Sequence, residues 1–192
     1  MVTSPFRFTT KDLEEVPDKP GFRYEIIDGE LYVTRAVNWR HEWTVDHTLL
    51  ALMNWNEESD LGVVLTAPGL VFADDDNVIP DLIWLRKERL ALIEDEKGHF
   101  TEAPELVVEV LSPGVANRVR DREIKLDLYN RRGVPEYWIV NWAQKLVEVY
   151  RREVGELRLV ATLGEGDTLT SPVLPGFACP VASLFPPARL GR

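Results

Sequence analysis

Glu109 stands inside an otherwise aliphatic run, Leu106-Val107-Val108-Glu109-Val110-Leu111. Asp81 interrupts a second one, Val78-Ile79-Pro80-Asp81-Leu82-Ile83-Trp84-Leu85. An ionised carboxylate among aliphatics is costly unless a cation or hydrogen-bond donors meet it. Two such strands lying side by side would bring the carboxylates to one site. A divalent metal with oxygen ligands is the natural partner for that pair. Strand periodicity puts Asp81 on the face of Ile79, Ile83 and Leu85, and Glu109 on the face of Glu105, Val107 and Leu111.

The segment after Glu109 supplies a cation. Asp121, Lys125 and Tyr129 recur at i, i+4 and i+8, which is one stripe of a helix, with Ile124 and Leu128 beside it to pack on a sheet. Two carboxylates and a lysine suit metal-assisted phosphodiester hydrolysis. The acids would hold a hard cation that polarises phosphate and acidifies water, and the lysine would orient that water or neutralise charge on the phosphate. Each residue also has a plain reading. Glu109 fits an edge-strand acid paired with arginine, Asp81 a turn residue after proline, and Lys125 a solvent-facing helix lysine.

Elements that could position these groups are visible along the chain. Thr9 and Asp12 have capping-box spacing for a short helix over 11–15. Strands are expected over 23–27 and 30–34, joined by the hairpin turn Asp28-Gly29. An amphipathic helix is expected over 40–58, using Trp43, Leu49, Leu50 and Met53. Strands over 62–66 and 69–72 precede the acidic run Asp74-Asp75-Asp76, which reads as a solvated turn. The Asp81 strand, a helix over 86–93 and the Glu109 strand follow, the last broken at Ser112-Pro113-Gly114. A helix over 118–132 is closed by Gly133. Strands over 136–141, 146–151 and 157–161 come next, then irregular packing and a short tail.

Composition sets outer bounds. The 192 residues, 45% of them hydrophobic and six of them Trp, suit one well-cored domain spanning 1–192, with its core at about 8–185. There is no apolar run long enough for a membrane helix and no signal-peptide layout at the start, so the expected location is cytoplasmic. The single Cys179 excludes an internal disulfide and a cysteine zinc cage. A net charge of −10 speaks against coating nucleic acid non-specifically. Residues 118–132 are locally basic, however, which fits either a phosphate-binding patch or a helix with internal ion pairs. Of the histidines, His41 reads as a capping or surface residue, with a place near the site at the helix start as the alternative; His41 and His47 lack the spacing of paired helical ligands, and His99 carries no role.

Taken together, the motifs resemble a known family. Tyr24-Glu25-Ile26-Ile27-Asp28-Gly29-Glu30-Leu31, Ile79-Pro80-Asp81, Val108-Glu109-Val110-Leu111-Ser112-Pro113, Asp121 through Lys125 to Tyr129, and Gly133-Val134-Pro135-Glu136-Tyr137-Trp138-Ile139-Val140 are similar to the Uma-two family of restriction-endonuclease-like proteins. The resemblance runs from about residue 8 to 185 and implies the PD-(D/E)XK nuclease superfamily. That implies an α/β (α+β) fold, with a mixed central sheet flanked by helices and an N-terminal β-hairpin. It carries Asp81 and Glu109 to the metal-binding acids, with Mg²⁺ or Mn²⁺ as cofactor. Leu111 stands where the superfamily usually has its lysine, and Lys125 matches the helix lysine that substitutes for it. Glu25 matches an acid supplied by the N-terminal part of the fold, as ligand or as structural acid. Asn141 departs from a commoner aspartate.

The function expected is a metal-dependent endonuclease with DNA as substrate. A homodimer is expected from the two strands of a duplex and the apolar hairpins near the C-terminus. An RNA nuclease, or a non-catalytic nucleic-acid-binding or assembly module on the same scaffold, stands as the alternative.

Overall fold

The computed structural model describes residues 6–17, 19–35, 38–112, 114 and 119–187. Pro113 of the expected strand breaker and Arg118 at the start of the basic helix lie outside the described residues. Helix α1 (Thr10–Glu15) opens with the Thr9–Asp12 capping box. Strands β1 (Phe22–Ile27) and β2 (Glu30–Arg35) form the N-terminal hairpin. Its turn residues have φ of 50° at Asp28 and 74° at Gly29, the left-handed pair that a tight two-residue hairpin requires.

Helix α2 (Trp39–Ser59) is capped by Asn38, whose side chain accepts the amides of Arg40 and His41. Its buried face is His41, Thr44, Val45, Thr48 and Leu52, whereas Leu50 and Met53 are exposed. The apolar periodicity therefore finds the helix but misassigns part of its inner face. Strands β3 (Gly62–Thr66), β4 (Leu70–Ala73) and β5 (Asp76–Val78) follow. Asp76 is buried rather than part of a solvated turn: it accepts the Asp28 amide and pairs with Arg132.

The run expected as one Asp81 strand is two. β5 belongs to a four-stranded sheet of order β2-β1-β5-β4, and β6 (Leu82–Arg86) belongs to a different, six-stranded sheet. The change of sheet falls at Pro80, which has no amide to continue a ladder. Helix α3 (Lys87–Ile93) precedes β7 (Leu106–Val110), which pairs antiparallel with β6 and parallel with β8 (Glu136–Asn141). Strands β9 (Leu146–Glu153) and β10 (Glu156–Gly164) complete the large sheet, of order β10-β9-β8-β7-β6-β3. The segment expected as a tail after 177 instead supplies β12 (Ala178–Pro180), which pairs with β11 (Thr168–Thr170), and then a 3₁₀ turn.

Burial explains that last difference. One face of the large sheet, with Leu82, Trp84, Val108, Val110 and Trp138, packs against Val45 and Leu52 of α2 and against Val181, Leu184 and Phe185. The C-terminal segment is thus core. The opposite face presents Ile83, Leu85, Val107, Tyr137 and Ile139 to Leu128 and Tyr129 of α4 (Lys125–Arg131) and to Ile27, Leu70 and Val78 of the small sheet. Trp84 and Trp138 are fully buried. Each removes on the order of 200 Å² from water, about 5 kcal/mol of hydrophobic driving force. No helix among the described residues is long and apolar enough to cross a membrane.

Candidate active site

The two acids meet because of strand register. In the β6–β7 ladder Leu82 faces Val108 and Ile83 faces Val107. Continued one step outward, the same register sets Asp81 against Glu109 and Pro80 against Val110. Both carboxylates then emerge on one face, at the end of the ladder. Beyond Leu82 the ladder ends, and the Val110 amide takes a side-chain acceptor instead: it donates to Asp81 Oδ2 at 2.9 Å.

Two further groups hold Asp81. Arg23 donates to Oδ1 at 2.9 Å, and His41 Nε2 lies 3.3 Å from Oδ2. Burial disfavours the charge of Asp81. The hydrogen bond and charge of His41, then the charge of Arg23 and the Val110 amide, outweigh it and hold the carboxyl well below the usual range. Reciprocally, burial opposes protonation of His41, but Asp81 raises its pKa overall.

Glu109 is met from the helix. The segment before α4 is a π-helical turn, Arg120–Ile124, in which the Lys125 amide returns to the Arg120 carbonyl. Among the described residues the expected helix over 118–132 is therefore interrupted: Val119 is α-helical, Arg120–Ile124 form the wider turn, and α geometry resumes at Lys125. The stripe survives the wider turn: Asp121, Lys125 and Tyr129 are all buried. Lys125 Nζ lies 2.8 Å from Glu109 Oε1 and 2.9 Å from Glu25 Oε1, and the Tyr129 hydroxyl donates to Glu109 Oε1 at 2.9 Å. Glu25 Oε1 also accepts the Ile79 amide at 2.8 Å, so one carboxylate ties β1 to the segment leading into Asp81.

The charges here are crowded. Glu109 is pushed up to about 8, by burial first and, against the pull of Lys125, by Asp81, Asp121 and Glu25. Burial and Asp81 likewise raise Asp121 despite Lys125 and Arg120. Burial opposes the ammonium of Lys125, yet Glu109, Glu25 and Asp121 raise its pKa and keep it charged. Both partners of the Lys125–Glu109 pair are thus raised, because one ammonium is shared among several acids.

A cavity of about 500 Å³ opens on this cluster, lined by Asp81, Glu109, Glu25, Lys125, Arg23 and His41 among others. Among the described residues no three or more His, Cys, Asp or Glu side chains form a ready-made metal cage. The donor chemistry nevertheless fits a hard cation. Asp81 and Glu109 are oxygen donors facing one cavity, and Glu25 adds a third carboxylate to its lining.

All four residues expected from the sequence, Asp81, Glu109, Lys125 and Glu25, converge here. The sequence missed Arg23, gave Arg120 only as part of the basic stretch, and offered His41 near the site only as the alternative to a capping or surface role. Arg23 was within reach of strand periodicity, since it shares a face of β1 with Glu25. His41 gives no such signal: the crossing of α2 over the sheet brings it to Asp81. The basic stretch is no free phosphate patch among its described residues. Arg120 bonds Asp121, Arg122 grips Glu148, Lys125 bridges Glu109 and Glu25, Arg131 meets Asp127, and Arg132 meets Asp76. His99 pairs with Asp95 and His47 stacks on Trp43, and neither lines this cavity.

A mixed sheet with two acids brought together by register, and a helix lysine set between acids, defines a nuclease-like α/β protein. More particularly, the chain belongs to the Uma2 family, described as "Putative restriction endonuclease", which matches residues 10–182. Among solved structures it is similar to one from Anabaena variabilis, described as a "putative nuclease belonging to DUF820". The TM-score is 0.74 at 16% identity, covering 93% of this chain and 97% of that one. At that identity the likeness shows the fold. No curated protein matches the chain. Family membership supports nuclease function, that is, hydrolysis at phosphodiester bonds.

Proposed function

We propose that this chain is a metal-dependent endonuclease acting on DNA, working as one domain to which both sheets contribute. The observation that carries the reading is the β6–β7 register that brings Asp81 and Glu109 to one cavity beside Lys125. Asp81 and Glu109 would hold Mg²⁺ or Mn²⁺. A cation there supplies Lewis acidity toward the scissile phosphate and a more acidic water.

The chain's own groups do the rest. Val110 and His41 fix the orientation of Asp81, and Tyr129 fixes that of Glu109. Lys125 lines the cavity as a charged ammonium and meets negative charge developing on the phosphate. Glu25 holds Lys125 in place from the hairpin side. Two copies, one for each strand of a duplex, complete the proposal. Sedimentation that finds only monomer under all conditions removes that last part.

The test is nicking of supercoiled plasmid by the purified protein with Mn²⁺, beside Glu109→Ala. Nicking that depends on metal and disappears in the variant supports the proposal. Equal cutting by both proteins points to a contaminant. A second reading, a non-catalytic nucleic-acid-binding module, draws on one observation: both acids already have cationic partners within the fold. Duplex binding with no cutting by either protein would favour it, and cutting of RNA alone would move the substrate class.

A further inference from the structure

Asp81 has an inner oxygen and an outer one. Oδ2 is held by the Val110 amide and by His41, whose side chain is 3% exposed. Oδ1 is held by Arg23, whose side chain is 41% exposed and reaches it across the cavity from the β1–β2 hairpin. Groups fixed by the fold orient the first oxygen. A long, flexible guanidinium caps the second, and Asp81 is its only hydrogen-bond acceptor among the described residues.

We propose that Arg23 is a place-holding cation: it neutralises Asp81 while no metal is bound, and transfers its guanidinium to a substrate phosphate oxygen when a divalent cation takes Asp81. The inference rests on the metal-dependent nuclease reading above. A guanidinium and a dication on one carboxylate oxygen repel each other, so binding the second releases the first. Once released, the planar fork of Arg23 matches two phosphate oxygens, which a lysine at the same position would not. The arrangement couples metal to nucleic acid in one direction: uncapping Asp81 makes Arg23 available.

The place-holder role requires opposed effects from one substitution. Arg23→Gln removes a competitor from Asp81 and a contact from the substrate. A merely structural arginine would weaken both affinities on removal, and a simple phosphate contact would leave metal affinity unchanged.

The experiment titrates Mn²⁺ calorimetrically into wild type and Arg23→Gln without nucleic acid. It then follows a short labelled duplex by anisotropy in Ca²⁺, which takes similar oxygen ligands. The expected result is Mn²⁺ binding tightened by roughly threefold to tenfold and duplex binding weakened by about tenfold. Arg23→Lys, which keeps the charge without the fork, should retain wild-type metal affinity and lose duplex affinity. Should Arg23→Gln fail to fold, Arg23→Met, which also removes the charge from Asp81, takes its place: tighter Mn²⁺ binding with weaker duplex binding supports the role, and unchanged or weaker Mn²⁺ binding overturns it. Unchanged or weaker Mn²⁺ binding by folded Arg23→Gln, while wild type binds well, removes the place-holder alone. A wild type that takes up no Mn²⁺ removes the nuclease reading and this inference with it.

Discussion

Lys125 Nζ lies 2.8 Å from Glu109 Oε1, with both side chains almost wholly removed from solvent. This pair joins the helix that covers the site to the central strand beneath it. Its removal therefore acts on both fold and chemistry. Lys125→Ala leaves Glu109 and Glu25 buried without their ammonium, at an expected cost of about 3–5 kcal/mol in urea unfolding. The loss should be smaller near about pH 5, where Glu109 already carries its proton, than above about pH 8, where it is ionised. A loss independent of pH would place the effect in packing rather than in charge.

Glu109 itself makes metal binding depend on pH. Its folded pKa of about 8 exceeds the ordinary 4.5. A group raised on folding contributes stability that is complete below its unfolded value and is lost as pH rises through the folded one. Between those limits a cation must displace a proton. The melting temperature should therefore rise more on adding Mg²⁺ at about pH 8.5 than at about pH 6. Equal shifts would mean that Glu109 does not meet the cation.

His41 acts through Asp81. His41→Asn shortens the group that meets Asp81 Oδ2 at 3.3 Å and leaves that oxygen with only the Val110 amide. Metal affinity should fall by about tenfold to a hundredfold, the range seen when partners of metal ligands are removed. Calorimetric titration of Mn²⁺ reads this directly, and wild-type affinity in the variant would refute it.

A substitution distant from the acids should separate stability from the site. Gly62 in β3 packs so closely that a Cβ there would lie 2.6 Å from the Trp84 ring and closer still to the Leu85 carbonyl. Gly62→Ala should cost about 1–3 kcal/mol in urea unfolding through overpacking. Mn²⁺ affinity in the folded variant should match wild type; a fall would show that β3 strain reaches Asp81.

The elements legible in the sequence were those with a local cause. The Asp28-Gly29 turn, the Thr9–Asp12 capping box and the buried β7 are set by backbone conformation, short-range hydrogen bonds and a continuous apolar run buried on both faces. Misreadings came where a long-range partner decides. Pro80 divides an apolar run between two sheets, Asp76 is buried because Arg132 reaches it, and 178–185 became core because α2 and the large sheet leave a face to cover.

The candidate site divides along the same line. Asp81 and Glu109 stood out in the sequence, because a carboxylate between aliphatics is costly without a partner, and the family resemblance joined Lys125 to them. Tertiary structure chose those partners. Register set Asp81 against Glu109, the π turn delivered Lys125 between Glu109 and Glu25, and the first turn of α2 laid His41 on Asp81. The sequence by itself determined that charges would be buried; only the assembled sheets decided which would face which, because a side chain's neighbours across a sheet follow from pairing and not from position along the chain.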